Sequence, residues 1–254
     1  TVIMNILAVN DDGIHAEGLK ALVRGLSEKA DVYVCAPDSQ RSAKSHSITL
    51  GQPVVIEETE FPSAKEAYIT SGSPADCTKI GLQFLAEKGI PIDMVYSGIN
   101  MGSNLGRDTL YSGTVGAAAE GALNGIHSVA VSVDDHDAVY FDTAVKLACD
   151  VMELVRDRLD SSVVLNINTP NLPGEKIRGV KYLPLAGRRY YDDRFHRREG
   201  STFYLSGQPL AAQRQETEND MDAAEDGYAV ITPLQFDFTD YGNLEIMKEW
   251  SLNI

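Results

Sequence analysis

The sequence predicts an α/β protein, with a doubly wound, Rossmann-like, mostly parallel sheet over residues 1–170 and a β-rich C-terminal extension over 171–254. Two observations carry this. Through the first two thirds of the chain, short apolar runs alternate with amphipathic helical stretches, the pattern of a parallel sheet covered on both faces. After Pro170 the pattern changes: proline and glycine become frequent, helical periodicity disappears, and short β-like pieces remain.

Asn5 to Val9 is a short apolar run that ends in Asn10-Asp11-Asp12-Gly13, which reads as a buried strand running into a turn. Ala16 to Lys29 places Leu19, Leu22, Val23 and Leu26 on one helical face. Asp31 to Ala36 reads as a second strand, stopped by Pro37. Further on come a helix over Pro74 to Glu87, a short strand over Asp93 to Tyr96, and a helix of small residues over Thr114 to Leu123. A strand over Ser128 to Val133, a helix over Tyr140 to Arg156 and a strand over Val163 to Asn168 complete the first part. In the extension, Gly179 to Leu183, Thr202 to Leu205 and Tyr228 to Thr232 are the β-like pieces. Between them lie a basic-aromatic stretch (Arg188 to Arg198) and an acidic one (Glu216 to Asp226). The two stretches read as mutual partners, within a chain or across an interface, rather than as contacts for bases or polyphosphate.

The formal net charge of -15 argues against a nucleic-acid polymer as partner, since released counterions supply most of that affinity. It leaves small anions open, because a bound divalent cation reverses the local sign of a site. Cys35, Cys77 and Cys149 are too widely spaced for a metal or redox pair and read as free thiols in a reducing compartment. No apolar run has the length of a membrane span and no signal-like leader stands at the N-terminus, so a cytoplasmic location is expected. Met4 reads as a natural start, with Thr1 to Ile3 a short extension.

In such sheets ligands bind beyond the carboxyl ends of the strands, and four polar clusters fall there. Asp11 and Asp12 follow the first strand; in a turn both carboxylates can converge on a cation with a taste for oxygen, Mg²⁺, Mn²⁺ or Ca²⁺. The alternative is a plain Asp-Gly turn with an aspartate capping the next helix. Ser39 to Ser47 follows the second strand, with hydroxyls, Arg41, Lys44 and His46, and reads either as a ligand loop or as an ordinary solvated one. Ser97 to Gly106 is glycine-rich and carries Asn100, a neutral carbonyl donor; it is not a dinucleotide fingerprint. Tyr111-Ser112-Gly113-Thr114 opens the small-residue helix, where free N–H groups and the helix dipole favour an anion, or where Ser112 simply caps the helix. Together the four fit metal-assisted attack on a phosphoryl group, in which a cation binds phosphate oxygens and acidifies a water. Gly72 to Cys77 opens another helix, either as a pocket wall or as a capped helix with a buried Cys77.

These clusters, in this order, resemble the stationary-phase survival protein SurE family of nucleotidases. The matching segments are NILAVNDDGI (5–14), APDSQRSAKSHSITL (36–50), TSGSPADC (70–77), YSGINMGSNLGRDTLYSGTVGAAAEGA (96–122) and GYAVITPL (227–234). The likeness runs from Asn5 to about Leu234. It implies a divalent-metal-dependent 5′/3′-nucleotidase acting on nucleoside monophosphates, with short polyphosphate as a further substrate. It implies one divalent metal ion per subunit, Mg²⁺ or Mn²⁺, on Asp11, Asp12, Ser42 and Asn100, with Ser39 the weaker match for the serine. Phosphate falls to Ser112, Gly113 and Thr114. Asp12 becomes the residue that orients or deprotonates the attacking water, and His46 a candidate acid for the leaving oxygen. The resemblance also implies exchanged C-terminal arms and a homodimer or homotetramer. Where the family often has Ser-Asp before its last strand, this chain has Asn219-Asp220.

Two other readings compete. A haloacid-dehalogenase-type phosphatase would use Asp-x-Asp after its first strand, whereas these aspartates are adjacent. A non-catalytic nucleotide-binding or assembly protein would rely on the charged arms.

Overall fold

A computed structural model describes residues 3–188, 193–207 and 214–252. In chain order the elements are β1 (Asn5–Val9), α1 (Glu17–Leu26), β2 (Asp31–Pro37), β3 (Ile56–Thr59), β4 (Glu66–Thr70), α2 (Pro74–Glu87) and β5 (Met94–Met101). Then follow α3 (Gly113–Leu123), β6 (His127–Asp134), α4 (Asp142–Arg158), β7 (Val164–Pro170) and β8 (Val180–Tyr182). Last come β9 (Arg194–Glu199), β10 (Thr202–Ser206), α5 (Asp220–Glu225), β11 (Ala229–Leu234) and α6 (Tyr241–Met247). Short 3₁₀ turns occupy Gly106–Tyr111 and Gly174–Lys176.

Nine strands form one sheet in the order β3-β4-β2-β1-β5-β6-β7-β11-β8. From β4 to β7 every pairing is parallel, as a strand–helix alternation requires. Successive side chains of a strand point to opposite faces, and β1 shows the result. Ile6 and Ala8 pack with Leu19, Leu22 and Leu26 of α1 and Met152 of α4. Leu7 and Val9 pack with Cys77 and Leu85 of α2 and Ala117 of α3. The expected doubly wound sheet is therefore present.

Several elements depart from the sequence reading. β3 and β4 lie in the stretch that showed no clear unit; β3 is a four-residue antiparallel edge strand with little burial, too short for alternation to declare itself. β5 runs on through Met101, so Ser97 to Met101 belongs to the strand, with a register irregularity between Ser97 and Asn100 where the glycine lies. Helices also persist after Pro170, as α5 and α6. α5 spans only six residues inside the acidic stretch, short enough to leave no periodicity.

The segment after 170 divides in two. β11 pairs antiparallel with β7, and β8 pairs with β11, so this part extends the main sheet. The β9–β10 hairpin forms its own two-stranded sheet. Of the basic-aromatic stretch, Arg189, Tyr190, Tyr191 and Asp192 lie outside the described residues. Arg188 does meet the acidic stretch, at Asp222 (2.8 Å) and Glu225 (3.6 Å). Arg197 and Arg198 instead stack over Phe203 and Tyr204 of the hairpin. All three cysteines are free thiols. Among the described residues no helix is long and apolar enough to cross a membrane.

The start of α2 holds the long β2–β3 connection in place. Ser73 and Asp76 form a capping box: Asp76 N–H donates to Ser73 Oγ (3.1 Å) and Ser73 N–H to Asp76 Oδ2 (2.8 Å). Asp76 also accepts from the Thr49 N–H (3.0 Å) and hydroxyl (2.6 Å). Burial pushes its carboxyl up, but the bonds from Thr49 and Ser73 outweigh it and hold Asp76 below its ordinary value of 3.8. A depressed carboxylate contributes stability that is present above the unfolded value and lost as pH falls through the folded one. Asp76→Ala is therefore expected to lower the unfolding free energy by about 2 kcal/mol at neutral pH. The difference should shrink once pH drops below about 3.8. Denaturant titrations of both proteins at neutral and acid pH check this; a constant difference would mean the charge is irrelevant.

Candidate active site

The order β2-β1-β5 puts the reversal of winding at β1, since β2 and β4 lie on one side of it and β5 to β7 on the other. The crevice outside the carboxyl ends of β1 and β5 is where open α/β sheets bind ligands. Asp11 and Asp12 lead out of β1 into it, and Asn100 sits near the end of β5.

The turn after β1 is braced from within. Asn10, fully buried, donates Nδ2 to the Gly13 carbonyl (2.9 Å) and accepts the Gly13 N–H (3.3 Å). This holds the two carboxylates clear of the strand. Asp11 is only 5% exposed, and its Oδ1 accepts the Thr114 hydroxyl at 2.5 Å. Gly113 makes the approach possible: a Cβ there would stand 2.9 Å from Asp11 Oδ2. Asp12 is less buried; its Oδ2 accepts the Met101 N–H (3.3 Å) and its Oδ1 the Gln40 side chain (3.4 Å). The loop after β2 folds back on the same turn, with Arg41 N–H on the Asp11 carbonyl at 2.7 Å.

The residues singled out from sequence thus gather unevenly. Asp11 and Thr114 touch. Asn100 precedes Met101, which bonds Asp12, and its Nδ2 is committed to the Gly102 carbonyl (2.7 Å), which leaves the carbonyl end of the amide as the available donor. Ser42 is exposed on the loop, one residue after Arg41. Ala43 and Ser45, next along, adopt left-handed backbone (φ 55 and 54), uncommon for residues with a side chain. Ser112 is the N-cap of α3, its hydroxyl accepting Val115 N–H at 3.0 Å. The capping alternative is therefore real for Ser112, while Thr114 is spent on Asp11. Ser39 bonds Asp38, and Arg41 turns its guanidinium to Asp38 (2.8 Å) and the Ser71 carbonyl (3.4 Å).

His46 is held elsewhere. Its Nε2 lies 2.9 Å from Glu120 Oε2, and Lys79 takes the other oxygen at 2.7 Å. A carboxylate only accepts, so Nε2 carries the proton. Burial raises Glu120, but Lys79, His46 and Asn124 together keep it below its ordinary value. Beside His46 a cavity of about 390 Å³ opens, lined by Ser45, Ser112 and Val115 and by the apolar side chains Leu185, Phe236 and Phe238. Asn10, Gln40 and the Met101 N–H escaped the sequence reading. Of these, only Asn10, beside the Asp-Asp-Gly turn, carried a local signal, since asparagine side chains commonly bond turn backbone.

The electrostatics of the two carboxylates are unusual. Burial, above all, pushes Asp11 up to about 6; the Thr114 hydroxyl pulls it down and the Asp12 charge raises it further. Burial raises Asp12 too, against the Met101 N–H, Gln40 and His136. Neither is paired with a lysine or arginine among the described residues. Two desolvated carboxylates without a lysine or arginine partner, with a carbonyl oxygen and an exposed hydroxyl nearby, are the oxygen set of a hard divalent cation. Among the described residues no group of three or more His, Cys, Asp or Glu gathers. A cation here would depend on the neutral oxygens as well as on the pair.

Known proteins resemble this chain over nearly its whole length. The sequence model of the family described as "Survival protein SurE" matches residues 6–192. A 5′-nucleotidase SurE of Pelotomaculum thermopropionicum is 42% identical over 97% of this chain and 95% of its own length. That of Clostridium beijerinckii is 43% identical over 95% and 96%. The crystal structure of the SurE protein from Aquifex aeolicus superposes with a TM-score of 0.82 at 33% identity, covering 96% of this chain and 98% of that one.

A raised carboxyl makes its own contribution to stability, full below the unfolded value near 3.8 and lost as pH rises through about 6. Asp11→Asn keeps an acceptor for Thr114 and carries no charge. In chelator it is expected to flatten that slope and to raise the unfolding free energy at about pH 8 by up to about 3 kcal/mol. Urea titrations across this pH range in EDTA check it; an unchanged slope would show that Asp11 ionises at no cost to the fold.

Proposed function

The chain belongs to the SurE family of survival proteins, and on that premise we propose that it hydrolyses nucleoside monophosphates to nucleoside and phosphate with the help of a divalent cation. The observation that carries the reading is the contact of Asp11 with the first turn of α3. It sets Asp11, one of two desolvated carboxylates with no lysine or arginine partner among the described residues, directly against a helix N-terminus, an anion-binding feature. A phosphate held between the two would meet cation and helix dipole at once.

In this reading Asp11, Asp12, Ser42 and Asn100 hold one Mg²⁺ or Mn²⁺ ion per subunit. When bound, the ion supplies charge neutralisation at phosphoryl oxygens and acidification of water. The rest is done by the chain. Thr114 fixes the rotamer of Asp11, while Gln40 and the Met101 N–H fix Asp12. Asp12, the more exposed of the pair, orients the attacking water or takes its proton. Gly113, whose missing side chain lets α3 meet Asp11, and the Ser112 cap present the helix start to the phosphate. The adjoining cavity of about 390 Å³ supports a nucleoside as the leaving group, since its apolar walls suit a base and its Ser45 and Ser112 edge suits a ribose. With Nε2 bound to Glu120, His46 serves better as a wall of that cavity than as the acid.

The reading includes 5′- and 3′-monophosphates and short polyphosphate as substrates, and a homodimer or homotetramer as the assembly. Apolar side chains on the hairpin, on the last helix and just after it support the latter, with Phe195, Leu205, Tyr241, Ile246 and Trp250 all exposed.

Phosphate release from a panel of 5′- and 3′-nucleoside monophosphates, with Mg²⁺, with Mn²⁺ and with EDTA, tests the reading. Metal-dependent release is expected, strongest on nucleotides and weaker on glycerol phosphate. Asp11→Asn and Asp12→Asn should each reduce it by about 100-fold or more with circular dichroism unchanged. Tight nucleotide binding without release under any metal would replace the enzyme by a binding protein.

A further inference from the structure

The segment that carries Ser112 to Thr114 is itself held by side chains that lie far away in sequence. It leaves β5 at Met101, turns at Asn104 to Gly106, and reaches Ser112 through the 3₁₀ turn Gly106–Tyr111. Three side chains grip its backbone at the turn. Asn168, near the end of β7, accepts the Asn104 N–H (2.8 Å) and donates Nδ2 to the Asn104 carbonyl (3.1 Å), engaging both backbone polar groups of that residue. Asn166 adds a second donor to the same carbonyl at 2.9 Å. Two residues on, Asp220 at the start of α5 accepts the Gly106 N–H at 2.8 Å.

Asp220 is fully buried, and its other oxygen accepts the N–H groups of Ala186 (2.7 Å) and Met221 (2.8 Å). Among the described residues it is backbone donors that offset its burial, so this is a carboxylate held by peptide dipoles rather than by a cation. The surrounding contacts leave little freedom. Arg107 N–H bonds the Arg188 carbonyl (3.1 Å). Gly106 adopts φ +50, and a Cβ there would stand 2.7 Å from the Arg188 carbonyl oxygen and from Met221 Sδ. Leu105, between the gripped residues, packs among Ala186, Met221, Ala223 and Val230 of the C-terminal part.

We infer that Asp220 and Asn168 are positioning residues for the phosphate-binding segment. They touch neither Asp11 nor Asp12. They fix residues 104 and 106, and the 3₁₀ turn transmits that placement to Ser112 and Thr114, and so to the Thr114–Asp11 contact. The inference rests on the nucleotidase reading for its effect on turnover, but the mechanical part stands without it.

The test uses the full-length protein and three variants. Asp220→Asn is nearly isosteric and cannot accept all three N–H groups; its NH₂ would face a donor. Asn168→Asp keeps the acceptor for Asn104 N–H and sets an oxygen against the Asn104 carbonyl. Ile231→Ala is the control, since it thins the core under β11 on the other face of the sheet, away from Leu105. Amide hydrogen exchange over residues 104–112 is expected to speed up in the first two and stay unchanged in the control. Inorganic phosphate should bind about 10-fold more weakly to the first two, and kcat/KM on a nucleoside monophosphate should fall by about 10- to 100-fold. Affinity for Mn²⁺ alone should fall by less than that for phosphate, since the segment reaches the carboxylates only through the Thr114–Asp11 contact. If Asp220→Asn does not fold, Asn168→Asp carries the same readouts. Wild-type exchange and phosphate affinity in the folded variants would overturn the inference, as would equal losses in Ile231→Ala. Absence of turnover in the unaltered protein, with exchange and phosphate affinity behaving as expected, would count against the nucleotidase reading and leave the positioning role standing.

Discussion

A buried carboxylate that reaches across a crevice to the first turn of a helix is the constraint around which the rest of this molecule is arranged. Asp11 is nearly sealed from water and carries its charge at a cost, relieved in part by the Thr114 hydroxyl. Around this contact the backbone is arranged with little slack. Asn10 locks the turn, Arg41 N–H ties the next loop to the Asp11 carbonyl, and Gly113 leaves room for α3 to approach. A carboxylate desolvated at such a site costs the fold stability, a familiar tension between stability and activity.

Much of the fold was legible because its central elements repeat a simple pattern. β1, β2, β6 and β7 are short apolar runs buried almost end to end, and α1 and α4 are amphipathic. What escaped was short or polar. β3 is an edge strand with charged residues, and β5 continues through a serine, a glycine and an asparagine that look like a loop. These residues stay in the sheet because β1 and β6 flank β5 on both sides, a tertiary influence with no local sign.

The site divides along the same line. Asp11, Asp12 and Asn100 were legible from their place after apolar runs, and Ser112 to Thr114 from their place before a helix. That Thr114 would bond Asp11 rather than stand free was not, because the bond joins elements a hundred residues apart in sequence. Asp220 was the least legible of all. It lies in a run of acidic residues that reads as a partner for the basic stretch, yet it is fully buried and its oxygens accept from backbone donors. Nothing in composition separates it from its neighbours Asp222 and Asp226, which pair with arginines.

The place of β11 has a consequence for how the chain is made. β7 is buried along its whole length, and its outer edge is covered only when β11, from near the other end of the sequence, lies down antiparallel beside it. During synthesis the parallel core from β1 to β7 can assemble first, but it then presents an open row of unpaired peptide groups on an apolar strand. Such an edge is a template for other strands. Closing it requires a contact between residues distant in sequence, which is slow to form. The newly made chain is therefore most exposed to aggregation in the interval between the emergence of β7 and that of β11. A truncation that stops short of Ala229 would make that interval permanent.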